Sequence, residues 1–253
     1  PGPRGAGRGG RGLMAGPARS ALTARTALLG VVGFPVAHSL SPAMQAAGIA
    51  ALGLDWAYGA FAVPPALLAE ALRGAAALGF RGLNVTIPHK EAALALCEPD
   101  ELARRAGAVN TLCFDEGRVT GHNSDVPGFA ALCAEAGCAL RPGLRAVVLG
   151  AGGAARAAIL ALRDAGVDVA VFSRTPRALR IGEEEIAVQR ASLRAALAPV
   201  LAGCDLLVDS TPVGLGADPA RPELAYPELD LSLLPRHAVV VDLVVRPRTA
   251  LTV

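Results

Sequence analysis

The sequence predicts an α/β protein that is divided into two domains. Its 253 residues are long for one domain and sufficient for two modest ones. From Ala27 onward, short apolar runs alternate with segments of helical character, and one such run leads into the glycine-rich stretch 150–154. A strand, a helix and a second strand in succession imply a parallel sheet. We therefore expect a disordered leader at 1–26, an α/β domain at 27–138 and a Rossmann-type dinucleotide-binding domain at 139–253.

The first domain is predicted from apolar runs and from the positions of proline and glycine. The run 27–34 predicts a buried strand, and Pro42 is typical of the first turn of a helix. The other elements expected, in chain order, are a strand at 56–63, a helix at 64–79, a strand at 82–85, a helix at 88–97, a hairpin that turns at the sequence DEG, and a helix at 125–137 that bridges the domains.

The second domain carries the βαβ pattern. A strand is expected at 145–150, a helix at 153–166 and a second strand at 168–174. Later strands are expected at 205–210 and 238–245.

Composition and charge exclude several classes of protein. The formal net charge of +2 comes from 24 basic and 22 acidic residues, so nothing indicates a nucleic-acid partner. Apolar runs stay short of the roughly 20 residues that a membrane helix needs. The five cysteines show no paired framework and the histidines are scattered, so we expect a cytoplasmic protein with reduced thiols and no metal. An organellar transit peptide is the alternative interpretation of the arginine-rich leader.

The stretch VVLGAGGAARA at 147–157 fits the G-x-G-x-x-G/A pattern of dinucleotide-binding loops. Gly150 permits the tight turn, Gly152 lets the backbone approach a pyrophosphate, and Ala155 allows the helix to pack closely on the strand. The N–H groups that begin the helix would bind the anion. The predicted cofactor contacts in this loop are Gly150, Ala151, Gly152, Gly153 and Ala154.

The end of the next strand favours NADP over NAD. An NAD site would place an acidic residue there for the ribose hydroxyls, but Asp168 lies at the opposite end of the strand. A guanidinium with neighbouring hydroxyls suits a 2′-phosphate. The predicted contacts are Ser173, Arg174, Thr175 and Arg177. The alternative is that Arg174 is a solvated loop cation.

Polar residues also punctuate the first domain. Ser39 and Ser41 follow the first strand, Asn84 and Thr86 are two apart and so share a strand face, and Lys90 is the only lysine in the chain. Asn110, Asn123 and Asp125 follow along the chain. The structural alternatives are that the serines cap the helix at Pro42 and that Asn110 and Asn123 satisfy the backbone of their own turns.

The motifs GFPVAHSLSP, NVTIPHKE, GAVNTL, GHNSDVPGF, VLGAGGAARA, SRT and STPVGL occur in the order found in shikimate dehydrogenases, and the chain resembles that family from about residue 30 to about residue 251. The resemblance implies an N-terminal substrate domain and NADPH-dependent reduction of 3-dehydroshikimate to shikimate, a step of the shikimate pathway that leads to aromatic amino acids. A small-molecule substrate is thus expected, and a homodimer is left as an option.

The resemblance also implies roles for individual residues. Ser39 and Ser41 resemble the groups that hold the substrate carboxylate, while Asn84, Thr86, Asn110 and Asp125 resemble those that read the ring hydroxyls. Lys90 and Asp125 match the catalytic pair, and Leu243 is placed with the cofactor contacts. Lysine suits this role because it can yield and recover a proton, which arginine cannot readily do.

The chain departs from the family's pattern at three places. Val245 stands where the family commonly carries a tyrosine, and Asp209 stands where asparagine is more usual. The family's final glutamine-bearing segment has no counterpart here, so the second domain is expected to be C-terminally truncated. These departures leave two alternatives open, a relative that acts on quinate or an amino analogue of shikimate, and a non-catalytic NADP-binding remnant.

Overall fold

The computed structural model describes residues 22–175, 177–190, 194–213 and 229–244. Most of the predicted leader and the departure at Val245 therefore lie outside the described residues. Residues 22–26 form a turn before the first strand, and Thr26 Oγ1 donates a hydrogen bond of 2.8 Å to Asp55.

The first unit is built around a six-stranded sheet. Its elements are β1 (Ala27–Gly33), α1 (Ser41–Ala51), β2 (Trp56–Ala62), α2 (Leu68–Ala77), β3 (Phe80–Val85), α3 (Lys90–Ala93), β4 (Glu98–Pro99), α4 (Glu101–Ala106), β5 (Thr111–Asp115), β6 (Arg118–His122) and α5 (Asp125–Glu135). The strand order is β2-β1-β3-β5-β6-β4. β1 pairs in parallel with β2 and β3, whereas β5 is antiparallel to both β3 and β6.

The predicted hairpin is confirmed, and its turn residues explain it. Glu116 and Gly117 connect β5 to β6 with φ angles of 45° and 82°. Two successive positive φ values match the twist of two-residue hairpin loops, and glycine adopts them at little cost.

The helix predicted at 88–97 is shorter in the structure. α3 covers Lys90–Ala93, and a 3-10 turn follows at Leu94–Leu96. The segment before α3 is a turn in which the His89 ring is buried and its Nε2 lies 2.7 Å from the Val63 carbonyl. Cys97 adopts an extended backbone and ends the helical segment. The prediction was too long because this tertiary contact, which the local pattern does not reveal, fixes the entry to the helix.

The second unit contains a five-stranded parallel sheet. Its elements are β7 (Arg145–Leu149), α6 (Gly153–Asp164), β8 (Asp168–Ser173), β9 (Leu179–Ile181), β10 (Glu184–Ile186), β11 (Val188–Arg190), α7 (Arg194–Leu201), β12 (Leu206–Asp209) and β13 (Val239–Asp242). The large sheet has the order β11-β8-β7-β12-β13, while β9 and β10 form a separate antiparallel pair. The predicted parallel sheet is confirmed, and with it the two-part α/β class.

α5 bridges the two units through its packing. The helix starts beside β6 of the first sheet, but its buried residues Val126, Phe129 and Cys133 belong to the same apolar cluster as Val148 of β7 and Ile159 of α6. One end of α5 thus lies among the polar residues of the first unit, while its apolar face is part of the core of the second.

Within the described ranges, no helix combines the length and apolar character needed to cross a membrane.

Candidate functional site

Lys90 and Asp125 form a close ion pair. Lys90 Nζ lies 2.7 Å from Asp125 Oδ2, and the two side chains are 14% and 31% exposed. Each is the first residue of its helix, α3 and α5, although 35 positions separate them in the chain. The structure therefore brings together the two residues predicted as the catalytic pair.

Asn110 holds the other oxygen of that carboxylate. Its side chain is buried and donates from Nδ2 to Asp125 Oδ1 at 2.8 Å and to Ser124 Oγ at 2.9 Å. Its Oδ1 accepts from the Ser124 amide at 3.0 Å and from the Thr111 hydroxyl at 3.1 Å. With every site of its amide engaged, Asn110 orients Asp125 instead of satisfying its own turn.

Asn123, by contrast, has a structural role, because its side chain satisfies backbone groups around the turn before α5. Its Oδ1 accepts from the amides of Asp125 and Val126 at 3.0 and 3.2 Å, and its Nδ2 donates to the Ala108 carbonyl. The side chain therefore serves the start of α5.

Tyr58 was not predicted as a site residue, yet it joins two of the predicted groups. Its hydroxyl donates to Asn84 Oδ1 at 2.6 Å and is also hydrogen-bonded to Ser41. Burial raises the pKa of Tyr58 to about 12, with the Ser41 hydrogen bond acting in the opposite direction, so the phenol stays neutral around pH 7.

A continuous set of hydrogen bonds links Tyr58 to the ion pair. Asn84 Nδ2 donates to Thr111 Oγ1 at 3.3 Å, and Thr111 in turn donates to Asn110. Tyr58 and Thr111 lie on strands that are distant in the chain, β2 and β5. The one sequence signal that could have suggested Tyr58 and Thr111 as site residues is that each places a hydroxyl group in a predicted strand.

The remaining predicted substrate residues lie near the ends of β1 and β3. Ser39 Oγ accepts from the Ser41 amide at 3.2 Å, which is a local turn contact at the start of α1. Thr86 directly follows β3, where its amide donates to the Val32 carbonyl and its methyl group packs on Gly33.

A cavity of about 260 Å³ lies between Lys90 and the carboxyl ends of the parallel strands. This is the usual place for a ligand in an open parallel sheet. Its lining residues are Ile87, Pro88, Lys90, Glu91, Gly150, Ala151, Gly152, Gly153, Ala154, Ser173, Arg174, Ser210, Thr211 and Pro212.

The glycine loop fits a dinucleotide at the positions predicted from the sequence. Gly150 has φ of +112° and lies so close to Ser210 Oγ that a side chain would collide with it. Gly152 caps α6 without a side-chain hydrogen bond, and nothing lies within 4 Å of where its Cβ would be. Since Gly150 to Ala154 all line the cavity, the backbone at the start of α6 borders the space that a pyrophosphate would need.

Lys90 reaches this loop directly. A Cβ built on Gly153 would lie 2.7 Å from Lys90 Cβ and 2.9 Å from Lys90 Cδ. Only glycine lets the lysine stem pack so closely on the start of α6.

The predicted phosphate contacts after β8 are spread over the cavity and its rim. Ser173 and Arg174 line the cavity, and Thr175 is exposed. Arg177 is ion-paired with Glu91 at 3.0 Å and also donates to the Ala151 carbonyl. Leu243 packs on the apolar core, and its amide donates to the Asp209 carbonyl at 2.9 Å.

Asp209, which departs from the resembled family, lies buried at the end of β12. It accepts the Thr211 amide at 2.8 Å and is in register with Asp242 of β13. Burial, together with the charge of Asp242, raises the pKa of Asp209.

Histidines do not gather into a metal site in the part of the chain that the structure describes, where no group of three or more His, Cys, Asp or Glu side chains could hold an ion. His122 Nδ1 instead lies 2.8 Å from Asp100 Oδ2.

Comparisons with known proteins agree with this geometry. Residues 31–112 match the family described as shikimate dehydrogenase substrate binding domain. A curated relative from Symbiobacterium thermophilum, named shikimate dehydrogenase (NADP(+)), is 44% identical over 230 residues, which are 87% of this chain and 76% of the relative.

Solved structures give the same result. A shikimate dehydrogenase in complex with NADP+ superposes with a TM-score of 0.80 at 32% identity, over 94% of this chain and 83% of that one. The shikimate 5-dehydrogenase from Thermus thermophilus, in complex with NADP(H) and shikimate, is 41% identical with a TM-score of 0.69 over 87% and 80% of the chains. A quinate dehydrogenase from Corynebacterium glutamicum in complex with NAD is 33% identical, with a TM-score of 0.69 over 86% and 79%. Given these matches over most of its length, the chain belongs to the shikimate dehydrogenase family.

Proposed function

We propose that this chain catalyses the reversible, NADPH-dependent reduction of 3-dehydroshikimate to shikimate. The observation that carries the proposal is the Lys90–Asp125 pair at 2.7 Å, with Lys90 also on the wall of a cavity that the glycine loop closes from the other side. Proteins named shikimate dehydrogenase are similar to this chain over most of its length.

Lys90 and Asp125 have different roles in the transfer of the proton. NADPH, when bound, supplies the hydride that converts the ketone carbon to an alcohol carbon. Lys90 Nζ gives a proton to the carbonyl oxygen as negative charge develops there, and it takes the proton back in the oxidative direction. Asp125 keeps the ammonium in place, since Asn110 fixes its second carboxylate oxygen.

Neutral hydrogen-bonding groups suit the polyhydroxy substrate. We propose Ser39 and Ser41 for the substrate carboxylate, and Asn84, Thr86 and Asp125 for the ring hydroxyls, while Asn110, whose amide is fully engaged, holds Asp125 in place. The hydrogen bond that Tyr58 donates to Asn84, and the one that Asn84 donates to Thr111, support this because they hold Asn84 in one orientation. A site that pairs each hydroxyl rejects an analogue that lacks one, since a buried polar group would then be left unpaired.

NADP is the cofactor that the second unit would hold. The N–H groups of the glycine loop suit a pyrophosphate, and Ser173 and Arg174 on the cavity wall suit the 2′-phosphate. Thr175, Arg177 and Leu243 are proposed as more peripheral contacts. The division into a substrate domain at 27–138 and a cofactor domain at 139–253 is proposed with α5 as the bridge.

A spectrophotometric assay of NADP+ reduction tests the function. We expect turnover with shikimate and at least tenfold lower kcat/KM with quinate. Because a quinate dehydrogenase is also similar to this chain, quinate is the informative comparison. Higher efficiency with quinate would assign the chain to that alternative, and NADPH binding without turnover of either acid would favour a non-catalytic remnant.

Location and assembly belong to the same proposal. The five cysteines of the chain are all free, which supports a reducing compartment such as the cytoplasm.

We also propose a homodimer, because the edge strand β2 exposes Trp56 and Phe61. Sedimentation velocity would measure the mass, and a monomer at micromolar concentration would contradict this part.

A further inference from the structure

Glu91 brings a negative charge to a cavity that is otherwise suited to anions. It follows Lys90 on α3 and lines the same cavity as the glycine loop. A carboxylate at this place would repel the phosphates of a dinucleotide unless cations neutralised it. Its ion pairs therefore indicate what it does there.

Two arginines of the second unit form ion pairs with Glu91, Arg177 through hydrogen bonds and Arg156 without one. Arg156 on α6 places Nε 3.3 Å from Glu91 Oε2. Arg177, in the segment after β8, places Nη2 3.0 Å from Oε1 and 3.3 Å from Oε2. One negative and two positive charges leave a net positive rim beside the cavity.

Arg156 depends on this carboxylate. Its side chain is 13% exposed, and burial lowers the pKa of its guanidinium while Glu91 acts to raise it. The guanidinium lies so close to Gly107, at the end of α4, that a side chain there would be 2.7 Å from Nη1, and Nη1 donates to the Arg180 carbonyl. Arg156 is thus a cation enclosed between the two units, and Glu91 is its counter-ion.

Arg177 connects the same carboxylate to the glycine loop. Besides Glu91, its Nη2 donates to the carbonyl of Ala151. Glu91, Arg177 and Ala151 therefore form one set of contacts, and the Lys90 stem packs on Gly153 two residues further along the loop.

We propose that Glu91 is a positioning residue for the reaction proposed above: through Arg156 and Arg177, its carboxylate fixes α3, and with it Lys90, against the cofactor loop. Neighbouring residues of a helix point about 100° apart, so Lys90 can face Asp125 while Glu91 faces the second unit. Only the expected effect of Glu91 on turnover rests on the proposed function. Its contacts to the cofactor loop can be tested by NADPH binding alone.

The test replaces Glu91 with its neutral isostere in the full chain, as Glu91→Gln. We expect kcat with shikimate and NADP+ to fall about tenfold, because a small displacement of a catalytic group is costly. We expect the Kd of NADPH, titrated by its fluorescence, to rise about fivefold as the contacts of Arg177 loosen. The KM of shikimate should change less than about twofold, since the proposed substrate residues lie in the first unit.

A matched control and a conservative variant accompany the test. Glu184→Gln removes the same charge from an ion pair with Arg163, which also lies on α6 but away from the cavity, so we expect wild-type kcat and Kd. Glu91→Asp keeps the charge with a shorter reach and should recover part of both losses.

Several results would overturn the inference. Unchanged kcat and Kd in Glu91→Gln would do so, as would tighter NADPH binding, which would reduce Glu91 to a repelling charge. Thermal unfolding measures how much of the variant is folded. If kcat falls only in proportion to the folded fraction and the Kd of NADPH is unchanged, Glu91 has a purely structural role. If the wild type binds NADPH but turns over neither acid, the proposed function fails while the titration still decides on Glu91. A wild type that does not bind NADPH overturns both.

Discussion

Lys90 meets two requirements that arginine would not meet together. Its ammonium is held 2.7 Å from Asp125, where the proposed reaction needs a transferable proton, and its unbranched stem packs on Gly153 at the start of α6. The other 23 basic residues of the chain are all arginine. At position 90 the choice of lysine follows from the proton transfer proposed for its ammonium group.

Lys90→Met separates these two requirements. The variant keeps a stem for packing on Gly153 and removes the ammonium, so we expect kcat to fall by about 10²–10⁴. The Kd of NADPH, titrated by fluorescence, should stay close to the wild-type value. Retained turnover would show that another group transfers the proton.

Arg174→Ala tests the choice of cofactor. The side chain lines the cavity beside Ser173, so its loss should weaken NADPH binding at least tenfold more than NADH binding. Arg73→Ala, an exposed arginine on α2, is the control and should change neither Kd. Equal losses for the two nucleotides would remove the phosphate role.

At the scale of elements, the carboxyl ends of β12 and β13 place two carboxylates side by side. Asp209 and Asp242 are in register, and Asp209 is buried. This pairing could not be predicted from the sequence, because about 30 residues separate the two strands in the chain and no local pattern fixes their register. The apolar runs did predict both strands, since each is a short apolar stretch next to polar residues.

Asp209→Asn should stabilise the protein at pH 7. The pKa of Asp209 is raised in the folded state, so the folded state is penalised for its charge once the pH exceeds that pKa. We expect a higher Tm at pH 7 and a gain that shrinks as the pH falls toward 3, because the carboxyl group is then protonated in both states. The amide oxygen can still accept the Thr211 N–H.

Asp205→Asn is the matched control of opposite sign. The Arg145 amide and His237 lower the pKa of Asp205, so its charged form contributes stability that is present at neutral pH and lost in acid. Its replacement should lower the Tm at pH 7. Shifts of the same sign in both variants would contradict this account.

Gly153→Ala tests how closely α3 must approach α6. The added Cβ would lie 2.7 Å from Lys90 Cβ, so α3 has to move and we expect kcat to fall about tenfold or more. Gly128→Ala on α5 is the control, since nothing lies within 4 Å of its added Cβ. That variant should keep wild-type kcat and gain about 0.5–1 kcal/mol of stability. Wild-type turnover in Gly153→Ala would show that the contact is not required.

For the whole molecule, the sequence predicted what local patterns encode and missed what distant contacts create. The glycine loop, Lys90 and Asp125 were predicted because each belongs to a short motif. Tyr58 and Glu91 were missed as site residues because their partners lie on other elements, and no spacing in the chain reveals those contacts. The shortened α3 has the same cause.

The accessibility of the thiols tests the packing of the second unit and of α5 against it. Cys113 is exposed, whereas burial raises the pKa of Cys133 and of Cys204 to about 11. At pH 8 we expect a thiol reagent to label Cys113 rapidly and Cys133 and Cys204 only after unfolding in denaturant. Cys113→Ser should remove the rapid phase. Rapid labelling of Cys204 in the native protein would contradict the described core.

Three consecutive residues, His89, Lys90 and Glu91, face three different neighbours. His89 lies against the Val63 carbonyl of the first unit, Lys90 against Asp125, and Glu91 against the arginines of the second unit. Inserting or deleting one residue within this tripeptide would rotate the side chains that follow by about 100° relative to those before, so the three could no longer reach their neighbours together. The length of this tripeptide in related chains should therefore be as fixed as the identity of its lysine.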